Sequence, residues 1–138
     1  MERQKNCKEQ IGANLNNRIS DLEKLLSAYK DDPEKEVESL GTLDEYGLSF
    51  DYVSPNTFEN QRRGYFRYQF SWGGPADEFR FFCDENLSPV RIEYWFLDWF
   101  DSTHVTLKGK DYCLLSDLFN IFKELGTVQI EFKESYSE

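Results

Sequence analysis

The stretch "FRYQFSW", residues 66–72, decides the fold, because a large aromatic ring recurs at every second position. Such alternation is typical of a β-strand with one buried face, since successive side chains of a strand point to opposite sides of the sheet. The stretch therefore predicts a strand whose rings face a core. The rings are Phe66, Tyr68, Phe70 and Trp72, and the residues between them are Arg67, Gln69 and Ser71.

The same two-residue period on both sides of this stretch predicts an antiparallel meander. "GGPAD", residues 73–77, contains two glycines and a proline, which are the residues that build tight reversals between antiparallel strands. "DENLSP", residues 84–89, makes the next turn by composition. The predicted strands cover residues 48–53, 66–72, 79–83, 90–97 and 103–107, with residues 127–132 as a further edge strand.

Two segments with helical spacing flank the predicted strands. The first begins at Asn14 and ends before Pro33, because proline disfavours helical geometry in the residue before it. The second ends at Gly126, a residue type that commonly terminates helices. The apolar stripes are Leu15, Ile19, Leu22, Leu26 and Tyr29 in the first helix, and Leu115, Leu118, Phe119, Phe122 and Leu125 in the second.

These elements predict an α+β fold in one domain, because 138 residues are enough for one sizeable core and not for two. We expect an antiparallel β-meander of four to six strands, with an N-terminal and a C-terminal amphipathic helix packed on one face. Residues 1–13 are polar and are expected to form a flexible N-terminal segment, so that the domain spans residues 14–138.

The face of the sheet opposite the helices has two alternative interpretations. It is either an exposed patch rich in Tyr, Trp and Arg, the residue types that dominate binding hot spots, or a second layer covered by residues 31–46 or the C-terminal tail. Strand alternation assigns to this face Tyr65, Arg67, Phe82, Arg91, Trp95 and Leu97.

The charge is strongly negative and unevenly distributed. The formal net charge is −10, and residues 31–60 contain nine acids against the single base Lys35. A field of this sign repels nucleic-acid phosphates and attracts basic surfaces, so we expect no direct nucleic acid binding and a basic protein partner. The basic cluster of Arg62, Arg63 and Arg67 has the composition of an aromatic platform for single strands, but the surrounding acidity opposes that use.

Several classes of site are disfavoured by composition. Cys7, Cys83 and Cys113 are odd in number and none pairs at CxxC spacing, which argues against a disulfide framework and a zinc site. We therefore expect no metal and no cofactor. Residues 1–14 lack the apolar centre of a signal peptide and no run has membrane-spanning length, so the host cell cytosol is the expected compartment and no membrane association is expected.

A catalytic site has only weak support from the residues. His104 is the single histidine, and it could act as an acid or base with Asp98 or Asp101. Those aspartates are three positions apart, so on one strand they face opposite sides and only a turn would bring them together. We interpret them as the end of the strand in "RIEYWFLDWFD", residues 91–101, and we interpret Cys83 and Cys113 as core residues.

Three motifs carry a family resemblance. "SWGGPADEFRF" (residues 71–81), "RIEYWFLDWFD" (residues 91–101) and "LKGKDYCLL" (residues 107–115) resemble a family of small acidic proteins encoded by phages and other mobile elements. The resemblance implies no catalytic residues. It implies a setting in which small acidic proteins counter host defence by binding a nucleic-acid-handling complex.

The sequence therefore favours a non-enzymatic inhibitor of a host defence complex, of the anti-CRISPR or anti-restriction type, that occupies a basic surface. An immunity or antitoxin-like protein that binds one toxin is the second hypothesis, and an enzyme using His104 is the third. A homodimer is compatible with each. The expected partner contacts are Asp31, Asp32, Glu34, Glu36, Glu38, Asp44, Glu45, Tyr65, Asp77, Glu78, Asp84, Glu85 and Trp95.

Overall fold

The structure, a computed structural model, describes residues 7–71, 75–98 and 101–134. A long helix, five strands and a second long helix follow one another in the predicted order, and two shorter helices were not predicted. The elements are α1 (Cys7–Asp31), α2 (Leu43–Tyr46), β1 (Ser49–Val53), β2 (Tyr65–Ser71), β3 (Ala76–Cys83), β4 (Pro89–Asp98), β5 (Asp101–Thr106), α3 (Gly109–Glu124) and α4 (Thr127–Glu134).

The five strands form one open antiparallel sheet in the order β1-β2-β3-β4-β5. Each strand pairs with its neighbour in sequence, and the pairing of Tyr68 with Phe79, and of Phe79 with Tyr94, aligns rings of three strands. The predicted α+β fold with an antiparallel meander is therefore confirmed. Trp72 and the two glycines of "GGPAD" lie outside the described residues.

The rings predicted to share one face do form the core. Phe79, Phe81 and Tyr94 are fully buried, and α1 and α3 cover them with leucines and phenylalanines. The ring of Phe119 in α3 lies 5.0 Å from that of Phe81, centre to centre. Ring pairs at such distances add roughly 0.5–1.5 kcal/mol each beyond the burial of their area. Aromatic packing between helices and sheet thus adds to the burial of the aliphatic side chains.

The two cysteines that we expected in the core lie at its edge or outside it. Cys83 is only partly buried beside this core, and Cys113 is exposed because it lies on the outer side of its helix.

Helix α1 begins at Cys7 rather than at Asn14. Residues 7–13, which we expected to be flexible, are therefore helical, and Ile11 is buried in the same core. Ile11 lies four positions before Leu15, so it extends the apolar stripe by one helical turn. Residues 1–6, the remainder of the segment expected to be flexible, lie outside the described residues.

The predicted edge strand over residues 127–132 is wrong, because these residues belong to helix α4. Gly126 ends α3 with a φ of +84°, and the chain turns directly into the new helix. Val128 and Phe132 are four positions apart and so lie on one helical face. The Phe132 ring packs against Tyr52 at 4.9 Å, which places α4 against β1. A short alternating sequence is compatible with both the strand period and the helix period. The packing of this segment against β1 favours the helix.

A buried ion pair joins α1 to the sheet. The Arg18 guanidinium donates two hydrogen bonds to the Asp77 carboxylate, at 2.7 and 3.0 Å. Ser71 and Tyr94 donate further hydrogen bonds of 2.7 Å to the same carboxylate. Arg18 also donates to the hydroxyl of Tyr46, so the network connects α1, α2 and three strands of the sheet.

The pKa of Asp77 follows from these contacts. Burial alone would raise it, but the hydrogen bonds from Arg18, Tyr94 and Ser71 and the charge of Arg18 outweigh burial and hold the pKa below its ordinary value. Burial raises the pKa of the neighbouring Tyr46 to about 12. The carboxylate is therefore charged and the phenol is neutral throughout the physiological range.

Substitution Asp77→Asn should lower the free energy of unfolding by about 3 kcal/mol, because it leaves Arg18 without its charged partner at a largely buried site. The matched control is Asp51→Asn, which breaks the more exposed bidentate pair with Arg67 and should cost about 0.5 kcal/mol. Urea unfolding curves of the three proteins provide the measurement. Equal losses in both variants would contradict a special role for the buried pair.

The same pair should make stability depend on acid pH. Because the pKa of Asp77 is lower in the folded state, its contribution is fully present above the unfolded value of about 3.9 and is lost as pH falls through the folded value. The stability difference between the native protein and Asp77→Asn should therefore shrink below about pH 4. Thermal unfolding from pH 3 to pH 7 measures this difference, and a constant gap would refute the linkage.

Candidate binding surfaces

The acids between the first two helices form one exposed surface, which we call the acidic connector, residues 31–46. All seven of its carboxylates are exposed. Three of these groups make local contacts: Asp31 pairs with Lys35 at 3.0 Å, Asp32 accepts from the Glu34 amide, and Glu45 accepts from Thr42. The seven are Asp31, Asp32, Glu34, Glu36, Glu38, Asp44 and Glu45.

A groove of about 500 Å³ lies beside the acidic connector, between the end of α1 and the outer side of α3. Pro33 of the connector forms one wall, and Asp117 and Glu124 of α3 add two further acids. Lys30 spans the groove and pairs with Asp117 at 3.8 Å. The acidic surface therefore extends beyond the residues predicted from sequence.

Two of the predicted contact acids do not lie on the surface. Asp77 is held by the Arg18 network, and Glu78 is 2% exposed and accepts a hydrogen bond of 2.7 Å from Arg80. Both carboxylates balance internal arginines, so the structure corrects their assignment as partner contacts. Asp84 and Glu85 are exposed in the turn between β3 and β4, where Asp84 accepts from two backbone amides of the turn.

The sheet face turned away from the helices, which we call the open face, is partly covered by the loop between β1 and β2, residues 54–64. This cover is neither of the two considered from the sequence. Tyr65 lies beneath it and is only 2% exposed, which corrects the expectation of an exposed ring. Trp95 is half-buried and Arg91 is exposed, so this face is neither a bare patch nor a second core.

Arginines and rings alternate on the open face. The Arg80 guanidinium carbon lies 3.9 Å from the centre of the Trp95 ring and 4.8 Å from that of Tyr65. Glu93 is buried, accepts a hydrogen bond of 2.9 Å from the indole N–H of Trp95 and pairs with Arg91. Cation–π contacts of this kind contribute roughly 0.5–2 kcal/mol each and therefore stabilise the arrangement of Arg80 between the two rings.

The loop over the open face is braced by one side chain. The Gln61 carboxamide oxygen accepts from the amides of Thr57 and Phe58, and its nitrogen donates to the carbonyls of Ser54 and Arg63. The loop ends at Gly64, where a β-carbon would overlap the Tyr52 hydroxyl. The Gln61 contacts connect both ends of the loop through one side chain.

This loop and the sheet enclose a pocket of about 440 Å³, which we call the open-face pocket. Its volume falls within the usual range for small-molecule sites. Its loop side is formed by Phe58, Glu59, Asn60, Gln61, Arg62 and Arg63, and its sheet side by Tyr65, Arg80, Phe82, Glu93 and Trp95.

One polar atom of the pocket residues is unsatisfied. The Tyr65 hydroxyl is buried and has no hydrogen-bond partner in the described part of the chain. Burial raises its pKa, so the hydroxyl keeps its proton as a potential donor. An unpaired buried donor costs roughly 1–3 kcal/mol.

The residues of the enzyme hypothesis are not brought together. Asp98 and Asp101 are direct partners across the β4–β5 hairpin, so the turn does bring the two aspartates to one side. His104 pairs with Trp95 and stacks on its ring at 4.3 Å, on the open face. By strand alternation the aspartates lie on the opposite face. Within the described residues, no cluster of three His, Cys, Asp or Glu side chains could hold a metal ion.

Sequence reasoning missed Arg18, Gln61 and Glu93, although each has a structural role. Arg18 interrupts no apolar stripe and looks like a surface residue of α1. Glu93 alternates out of phase with Ile92 and Tyr94, as a solvent-facing residue does. Charged residues on β3 and β4 lie opposite one another on the open face: Glu78 pairs with Trp95, and Arg80 pairs with Glu93. This opposition of charges indicates a buried polar cluster, but it can be recognised only when the strand register is known.

Substitution Tyr65→Phe should raise the free energy of unfolding by about 1 kcal/mol, because it removes a buried donor that has no protein acceptor. Tyr94→Phe is the matched control: its hydroxyl donates to the charged Asp77, and its loss should cost about 2 kcal/mol. Chemical unfolding compares the two. A loss of stability in Tyr65→Phe as large as that in Tyr94→Phe would show that the Tyr65 hydroxyl has a partner in solution.

Comparisons of the chain with protein-family models, with curated proteins and with solved structures find no match. In the part of the chain that the structure describes, no helix has both the length and the apolar character of a bilayer span. The functional conclusion therefore depends on the acidic connector, its groove and the open-face pocket.

Proposed function

We propose that this chain is a non-enzymatic binding protein whose acidic connector occupies a basic surface of a partner protein. The observation that supports this proposal is the exposure of all seven carboxylates of residues 31–46, against one lysine. Seven acids and one base give this segment a formal charge of −6 out of the net −10 of the whole chain. More than half of the net charge is therefore presented by one short segment.

The acidic connector attracts basic protein surfaces electrostatically. A concentrated field of one sign raises the association rate with partners of the opposite charge by roughly 10- to 1000-fold. It lowers the association rate with partners of the same charge. The groove beside the connector adds Asp117 and Glu124 and the apolar Tyr29 and Ile121 to the same side of the molecule. A basic partner would thus meet carboxylates at the rim and rings or aliphatic carbons between them, as at specific protein interfaces.

The partner we propose is a nucleic-acid-handling complex of host defence, of the anti-CRISPR or anti-restriction type. Surfaces that bind nucleic acid hold rows of Lys and Arg spaced for phosphates, and exposed carboxylates compete for the same side chains. The bound connector would exclude the nucleic acid and would need no chemical step.

Affinity capture with the tagged protein, from a nuclease-treated lysate of the host cell, tests the proposal. The substitutions Glu34→Gln, Glu36→Gln and Glu38→Gln, made together, should reduce the recovered basic partner at least tenfold, because they remove three charges from the connector. Added double-stranded DNA should displace the partner from the native protein. Quantitative mass spectrometry of the eluates measures both effects.

The control variant combines Glu9→Gln, Glu23→Gln and Glu134→Gln, which remove the same charge from exposed positions outside the connector. It should retain the partner. If both triple variants lose the partner equally, the interaction depends on net charge alone and the connector is not its site. Capture of a partner that DNA does not displace would refute competition for a nucleic-acid-binding surface.

A further inference from the structure

The two edge strands of the sheet differ in how well they are covered. β1 lies at one end of the strand order and β5 at the other. No residue of β1 is exposed, and α4 packs against that strand. In β5, by contrast, Ser102, His104 and Thr106 are exposed. The sheet is therefore covered at its β1 edge and open at its β5 edge.

The strand register shows which backbone groups of β5 point outward. The Leu107 amide donates to the Ile92 carbonyl, so residues that exchange hydrogen bonds with β4 alternate from that pair onward. In this pattern Val105 and Thr103 direct their backbone groups to β4, and the residues between them direct theirs away from the sheet. No hydrogen bond to these outward backbone groups is present in the part of the chain that the structure describes. The outward residues are Ser102, His104 and Thr106.

Edge strands usually carry a feature that prevents them from pairing with another chain. Lysines, prolines and β-bulges are the common ones. Residues 102–106 contain no lysine, proline or acid, and the register of β5 on β4 is unbroken, whereas the registers of β3 with both its neighbours shift. Three of these five residues are β-branched, which favours an extended backbone. A regular, uncharged edge in a chain of net charge −10 indicates a strand that is used for pairing.

We propose that β5 pairs antiparallel with β5 of a second copy of this chain, so that two five-stranded sheets join into one. The twofold axis passes beside His104, which faces His104 of the second copy. Ser102 of each copy then faces Thr106 of the other. Every outward residue thus meets an outward residue, and each such pair can exchange both backbone hydrogen bonds. This self-complementary register is what a twofold-symmetric interface requires.

The charges at the ends of β5 suit an antiparallel second copy. The strand begins with Asp101 and is followed by the exposed Lys108, so antiparallel pairing brings an acid and a base to the same end of the interface twice. Charges more than about 8 Å apart are largely screened at physiological salt, so the net charge of each copy opposes this contact only weakly. A basic strand from another protein would find no acid to match between residues 102 and 106. The contact is independent of the acidic connector and of the partner proposed for it.

The concentration dependence of the oligomeric state tests the proposal. A short strand edge buries little area, so we expect a weak dimer that forms between about 10 µM and about 1 mM. Sedimentation velocity at physiological salt measures the monomer and dimer populations. Amide hydrogen exchange should slow at least threefold with concentration at Ser102, His104 and Thr106. The amides of Thr103 and Val105, which are bonded to β4, should not change.

Two double variants test the register. Ser102→Lys with Thr106→Lys places lysine opposite lysine twice across the interface, and like charges directly opposite are destabilising. This variant should weaken the dimer at least tenfold, although it adds two positive charges to a chain of net charge −10. The matched control, Ser102→Glu with Thr106→Lys, places opposite charges at the same two sites and keeps the net charge unchanged. It should dimerise at least as tightly as the native protein.

Three outcomes would overturn the proposal. The first is a native protein that remains monomeric up to about 1 mM, at which even a weak specific interface is populated. The second is equal dimerisation of the native protein and the double-lysine variant, which would place the interface elsewhere. The third is loss of the dimer in both double variants when unfolding curves show that both are folded, because the pairing of Ser102 with Thr106 would then be wrong.

Discussion

The ion pair of Arg18 with Asp77 links helix α1 to the sheet. Asp77 lies at the start of β3, between Ser71 of β2 and Tyr94 of β4, and all three side chains direct their polar atoms to one point. Arg18 reaches that point from α1. Loss of either partner leaves an uncompensated charge at a largely buried site, so the pair restrains the position of α1 on the sheet, together with the apolar packing of the helix.

Much of the fold could be predicted because it follows from local periods. The rings of residues 66–72 and 90–97 alternate, and burial on one face is the simplest way to use them. The wrong predictions concern segments that are short or whose apolar spacing fits both a strand and a helix. "TVQIEF" has apolar residues at positions that suit both a strand and a helix, and its contact with Tyr52 is set by the distant β1.

The candidate sites were less predictable, because a site is a set of distances between segments. The acidic connector could be identified, since a run of acids without a clear period is exposed by default. Asp77 and Glu78 are also adjacent acids, but they are buried. Only their pairing with Arg18 and Arg80, which the sequence does not show, distinguishes them from the exposed acids of the connector. The basic cluster around Arg63 was visible in the sequence, whereas its neighbours Phe82 and Trp95 were not, because they come from other strands.

The hydrogen bonds of Gln61 have a consequence for how this surface can change over time. They link positions within residues 54–64, so the shape of the loop is a local property and depends little on the helix-covered core. Substitutions at the exposed positions of the loop can therefore change the walls of the open-face pocket with little effect on the core.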